Sequence, residues 1–299
     1  MDRRSFLKGS GVALGAVGLG GLLAACADGS ERDSADGQAG VAEIPSGEAT
    51  LAPTIATFEF LTGSPRKVPF GVRTMDNVEV RDADITVYLR TLEGEVIDGP
   101  LGTTYTEATG PGLGLYVVEL GFDEAGTFEL VAVDGDSYGM AAVPVVTPEQ
   151  SKAPVPGQAA TAVATPTEDN ERGYDKICTQ DPPCGMHDVN LEDALAGGKP
   201  VMLIFATPEF CQTVVCGPAV DTVDTVRKDG DWGDSVWIHT EIYAHYDPNN
   251  PELGKPVKAW NLPTEPWLFS IDPDGKLVDR LDGPMLPDMV EEMAQALTA

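Results

Sequence analysis

Val201–Pro218 reads VMLIFATPEFCQTVVCGP. Its first five residues, Val201, Met202, Leu203, Ile204 and Phe205, form an unbroken apolar run after the turn residues Gly197, Gly198 and Pro200. A strand covered by helices on both faces reads this way, whereas a half-exposed strand alternates. At the other end, Gly217-Pro218 suits a first helical turn, and Val220, Val223 and Val226 follow at helical spacing. Cys211 and Cys216, with four residues between them, therefore sit at a strand-to-helix junction. Free N–H groups and the positive end of the helix dipole favour a thiolate there, the species that attacks disulfides and binds metals. Five steps along a regular helix separate Cα atoms by roughly 8 to 9 Å, beyond the ~7 Å reach of a disulfide. For the two cysteines to pair, the segment between them must be a loop or distorted turn, with the regular helix starting near Gly217.

Phe205-Ala206-Thr207, Phe210-Cys211 and Cys216-Gly217-Pro218 together resemble the active-site strand, loop and helix of the thioredoxin-like superfamily. That family usually has two residues between its cysteines. Here Gln212, Thr213, Val214 and Val215 intervene, and Ala219 stands where a Cys-Gly-Pro-Cys motif would carry its second thiol. A second match lies in Leu262–Lys276, where Pro266 and Asp274-Gly275 fall in the order of the family's cis proline and hairpin turn. The alternative for Pro266 is an ordinary trans proline opening a strand.

The resemblance implies thiol-disulfide exchange, an oxidoreductase activity with protein thiols or disulfides of extracytoplasmic proteins as partners and with no cofactor. Cys211 would be the nucleophile and Cys216 the resolving thiol, while Pro266, Glu265 and Phe210 would shape the substrate groove. Glu209, two residues before Cys211, opposes thiolate formation. Two other readings stay open. One is a binding or scaffold protein that keeps Cys211 and Cys216 as a structural bridge without turnover. The other is copper handling through Cys211, Cys216 and His245, although the copper-delivery branch of the superfamily has three residues between its cysteines. Outside that alternative no metal is expected at Cys211 and Cys216.

The N-terminus is a separate object. Asp2-Arg3-Arg4-Ser5-Phe6-Leu7-Lys8 resembles a twin-arginine export motif, and an uncharged run from Gly9 to Ala25 follows it. Leu23-Ala24-Ala25-Cys26 resembles a bacterial lipobox, which implies acylation (a palmitate-type modification) of Cys26 after removal of the signal peptide. The implied location is the extracytoplasmic face of the cell membrane, reached through the lipid anchor only. Of five cysteines, setting Cys26 aside leaves Cys178, Cys184, Cys211 and Cys216, an even number in an oxidising compartment. Two short-range pairs are the simplest of three connectivities. Cys178 and Cys184, with Pro182-Pro183 inside their loop, suit a structural disulfide. A sharper alternative makes Cys184, Met186 and His187 soft copper ligands. His239, on an alternating β-rich run, reads as a packed strand residue rather than a ligand.

The expected layout is a signal and lipobox (1–26), a flexible tether (27–50), a β-sandwich (51–147), a Pro-rich linker (148–170) and a thioredoxin-like α/β domain (171–299). The sandwich rests on short β-type runs separated by Gly, Asp and Pro. Alternation is clear in Thr86–Arg90 and Thr127–Val131, and the pattern suggests an immunoglobulin-like module. The linker rests on Pro148, Pro154, Pro156 and Pro166. With 48 acidic against 19 basic residues the formal charge is -29, which excludes a nucleic-acid partner, since phosphate backbones demand a basic surface.

Overall fold

The computed structural model describes residues 44–107, 114–211 and 215–298. The export motif, Cys26 and most of the tether lie outside the described residues, as do 212–214 between Cys211 and Cys216. The chain is mostly β with few helices. Its first half makes nine strands: β1 (Leu51–Ile55), β2 (Phe60–Leu61), β3 (Gly63–Thr74), β4 (Thr86–Thr91), β5 (Val96–Gly102), β6 (Thr104–Glu107), β7 (Gly114–Phe122), β8 (Gly126–Asp134) and β9 (Ser137–Val146). They form two sheets, ordered β1-β3-β7-β6 and β2-β9-β8-β4-β5.

Alternate side chains of both sheets meet in one buried cluster: Val68, Phe70 and Val72 of β3 and Tyr116, Val118 and Leu120 of β7 face Val87 and Leu89 of β4 and Leu130 and Ala132 of β8. This is the period-2 pattern of strands with one face inward. The other face of β7 is not left to solvent. Leu115 and Val117 join a second buried cluster with Leu281, Met285 and Met289.

The second half contains α1 (Leu191–Ala196), β10 (Val201–Phe205), α2 (Cys216–Asp229), β11 (Val236–Thr240), β12 (Tyr243–His245), β13 (Glu252–Leu253), α3 (Lys255–Trp260), β14 (Trp267–Ile271), β15 (Leu277–Asp282) and α4 (Pro287–Thr298). The sheet order is β11-β10-β14-β15, with β10 parallel to β11 and antiparallel to β14. All five β10 residues are fully buried. Met202 and Ile204 pack with Val220 and Val223 of α2 and Val290 and Met293 of α4. Val201, Leu203 and Phe205 pack on the other face with Leu191 of α1 and Val257 and Trp260 of α3. An apolar run without alternation is the consequence of covering both faces.

Residues 148–170 depart from the expected free linker. Ala153 and Val155 are buried. The Gly157 N–H donates to Leu277 O at 2.8 Å, the Leu277 N–H to Gln158 O at 2.9 Å, and the Ala160 N–H to Gly275 O at 2.8 Å. The stretch thus covers β15, the edge strand of its sheet. Extended Pro-rich backbone keeps its carbonyls free, and an edge strand presents unpaired groups that need partners.

The two halves are joined by packing and by ion pairs. Arg280 Nη2 lies 2.6 Å from Glu59 Oε2, and Arg66 Nη1 lies 3.4 Å from Asp282 Oδ2. The described residues cluster as one compact unit.

Candidate functional site

Cys216 is the first residue of α2, so the regular helix excludes Cys211, as pairing requires. Cys216 is fully buried, whereas Cys211 is half-exposed at the rim of the same cluster. Cys216 carries a free thiol. Contact with Cys211 and then burial push the Cys216 thiol far above the ordinary range, with only the Thr207 backbone N–H acting in the opposite direction.

The Glu265–Pro266 bond is cis and leads directly into β14. Glu265 is itself shifted upward, first by burial and then by the Cys211 charge. Tyr243 is raised by burial and by Glu265, with smaller contributions from both cysteines. Cys211, Cys216, Glu265 and Tyr243 are thus within electrostatic reach of one another. Phe210 stacks on Tyr246 with ring centroids 4.0 Å apart and planes at 10°, and Tyr246 meets Tyr243 edge-on at 5.2 Å. Glu209 is paired with Lys176 at 2.5 Å, so its opposition to a nearby thiolate is offset. His245 turns to Asp175, its Nδ1 2.9 Å from Oδ1.

Cys178 and Cys184 do not form the expected bridge. Both are free, and their sulfurs stand 3.7 Å apart. They share a site with two histidines. Cys184 Sγ lies 3.4 Å from His187 Nε2 and 3.4 Å from His239 Nδ1, and Cys178 Sγ lies 3.9 Å from His239 Nδ1. Contact with Cys184, opposed by burial and reinforced by His187 and His239, lowers the Cys178 pKa well below the thiol range. The same contact, with burial, pushes Cys184 upward. The four side chains hold their donor atoms within 4.8 Å of one another. This is the metal-capable group found among the described residues, and it includes none of Cys211, Cys216 and His245.

Sequence reading missed His239 as a member. It is 0% exposed, as a packed strand residue should be, yet its imidazole points at sulfur rather than at hydrocarbon. The local signal was Cys184-Gly185-Met186-His187, a Cys-x-x-His step of metal-ligand spacing. Nothing local links that step to a strand more than fifty residues further on; β11 supplies the fourth donor through the fold.

The two centres are adjacent. Thr179 donates from its N–H and Oγ1 to Glu241 Oε1 at 2.6 and 2.8 Å, while its Oγ1 accepts from the Glu209 N–H at 3.1 Å. Cys178, Thr179, Pro208, Glu209 and Gly217 line a hollow of about 640 Å³ between them.

No protein-family model matches the chain, and no curated protein does. Among solved structures, the chain is weakly similar to a thiol:disulfide interchange protein of the thioredoxin family from Chlorobium tepidum TLS. Identity is 15%, covering 48% of this chain and 97% of that one, with a TM-score of 0.34. The Lin-41 filamin domain matches 31% of the chain at 9% identity and a TM-score of 0.23, over 91% of its own length. Titin M4 matches 34% at 11% identity and a TM-score of 0.20, over 99% of its own length. Among the described residues no helix is long and apolar enough to cross a membrane.

Proposed function

We propose that the protein is a thiol-disulfide exchange protein, with an immunoglobulin-like sandwich followed by a thioredoxin-like domain, held at the outer face of the membrane by acylated Cys26. The observation that carries this reading is the asymmetry of the pair. Cys211 is partly exposed, while Cys216 is buried at the first turn of α2 within electrostatic reach of Glu265. An accessible sulfur can meet a substrate disulfide, and a sequestered one can only resolve what the first has captured.

In the reducing direction the Cys211 thiolate attacks one sulfur of the substrate disulfide. A mixed disulfide forms, and the other substrate sulfur leaves as a thiolate. Cys216, on losing its proton, attacks the Cys211 sulfur and expels the second substrate thiolate. Two electrons have then passed from the protein dithiol to the substrate, and both substrate thiolates take up protons. The oxidising direction is the exact reverse, chosen by the relative potentials. Phe210, stacked on Tyr246, and Glu265 would border the bound substrate segment.

Insulin reduction and refolding of a scrambled disulfide substrate test the reading, with Cys211→Ser as control. Turnover lost in Cys211→Ser, together with a reduction potential for the pair above about -300 mV, supports exchange. Absence of turnover with a lower potential leaves a structural bridge.

A further inference from the structure

The cluster that exchange does not use is Cys178, Cys184, His187 and His239, of which the last three are buried and Cys178 is partly exposed. Burying a thiol and two imidazoles against a second thiol is costly unless something satisfies all of them. His187 shows the problem: its Nε2 faces Cys184 Sγ, and its buried Nδ1 has no hydrogen-bond partner. Hydrogen bonding within the group does not account for its burial.

A tetrahedral zinc ion does account for it. Zn–S of about 2.3 Å and Zn–N of about 2.0–2.1 Å place two sulfurs about 3.8 Å apart, and a sulfur and a nitrogen about 3.5 Å apart, at tetrahedral angles. The sulfurs here are 3.7 Å apart, and three of the four sulfur-to-nitrogen separations are 3.4, 3.4 and 3.9 Å.

The surroundings are those of a ligand set. His239 Nε2 lies 3.1 Å from Ala206 O, so that nitrogen donates its N–H to the carbonyl and Nδ1 presents a lone pair to the sulfurs. Metal-binding histidines are oriented in this way by an outer partner. The Met186 N–H donates to the Cys184 sulfur, and Gly185 turns the chain between them at φ +70°, a conformation that suits glycine. The His239 N–H donates to Met186 O at 2.9 Å, which holds the ligand loop against β11.

We propose that Cys178, Cys184, His187 and His239 form a tetrahedral Cys2His2 zinc site that closes the 178–187 loop onto β11. Four protein donors leave no open position, so the site is structural. Sulfur and imidazole at tetrahedral spacing select zinc over harder cations. Zinc binding displaces the thiol protons of Cys178 and Cys184 and oxidises nothing, so the site keeps two thiols reduced in an oxidising compartment. Through Thr179 the closed loop also braces the backbone that leads to Cys211.

The test is metal analysis of the full chain purified without chelator or reductant, followed by cobalt(II) replacement. The expected result is stoichiometric zinc, and on replacement the absorption of tetrahedral, thiolate-bound cobalt. Both are retained in the Cys211→Ser/Cys216→Ser double variant. Chelation makes Cys178 and Cys184 reactive toward a thiol reagent and lowers the melting temperature. Cys178→Ser lies at the half-exposed corner of the site and so is the variant least disruptive to folding. It weakens zinc by more than the about 10- to 100-fold typical of losing an outer partner.

Absence of zinc, a Cys178–Cys184 disulfide in the isolated protein, loss of metal in the Cys211/Cys216 double variant, or copper or iron in place of zinc each overturns the proposal. None of these measurements depends on exchange activity, and a failed insulin assay leaves the site untouched.

Discussion

Glu265 is the carboxyl whose charge interacts with the sulfurs of both Cys211 and Cys216, and its upward shift, caused by burial and then by the Cys211 charge, has a reciprocal. An ionised Glu265 opposes the thiolate as much as the thiolate opposes it. In a Cys216→Ser background, Glu265→Gln should raise the rate of Cys211 alkylation at neutral pH by about two- to tenfold and move its pH profile toward acid. A rate profile of iodoacetamide alkylation against pH measures this, and an unchanged or slower rate contradicts it. Glu209 should matter less, because Lys176 already compensates it in an exposed pair. The cysteines and the proline were legible from sequence as a motif. The partners that set their chemistry, Tyr243 and Tyr246, were not, because they reach the site from β12 and the loop after it.

Among the elements, β10 and the 148–170 stretch show opposite relations between composition and structure. An apolar run without alternation has one stable use in a soluble α/β unit, so β10 was readable to the residue. Leu203, 0% exposed, should cost about 2–5 kcal/mol on truncation to Ala, measured by urea unfolding. The Pro-rich stretch had the composition of a linker, yet it is held in place by backbone bonds to β15 and by Trp260. Trp260 packs between Phe205 and Phe269 at 5.3 and 4.8 Å, and its Nε1–H donates to Thr161 O at 3.1 Å. Trp260→Phe keeps the ring packing and loses that bond. The expected loss is about 1 kcal/mol, with new proteolytic cleavage between 157 and 165. Unchanged cleavage would show that the tryptophan does not pin the segment.

For the molecule as a whole, the join between its halves is a buried ionic cluster. Arg280, 3% exposed, binds Glu59, Ser151 Oγ and Pro154 O and sits over the Trp267 ring at 5.1 Å. Arg280→Ala strands Glu59 and should cost about 3–5 kcal/mol. Arg280→Met, which fills the space without the charge, should not restore it. Asp282 is fully buried as a side chain, and burial raises its pKa despite Arg66. A carboxyl whose folded pKa exceeds its unfolded value binds the proton more tightly in the folded state. Its contribution is therefore largest below the unfolded pKa and is lost as pH rises through the folded one. Urea midpoints from about pH 4 to 7 should show this decline, flattened in Asp282→Asn. The formal charge of -29 at pH 7 adds self-repulsion near neutrality, so stability there should rise with added salt; a melting temperature at pH 7 indifferent to salt would exclude that effect.

The amino-acid pattern by itself determined the long apolar or alternating strands though not β1, β5, β6 and β13, the strand-to-helix junction at Cys216, the hairpin at Asp274-Gly275 and the proline ahead of β14, because each is a local consequence of periodicity or turn chemistry. Only the tertiary structure decided which side chains each cysteine lies beside. Cys178 and Cys184 are a plausible disulfide in one dimension and half of a four-donor site in three. His239 reaches them from a strand whose pairing with β10 is a long-range event that no local pattern encodes.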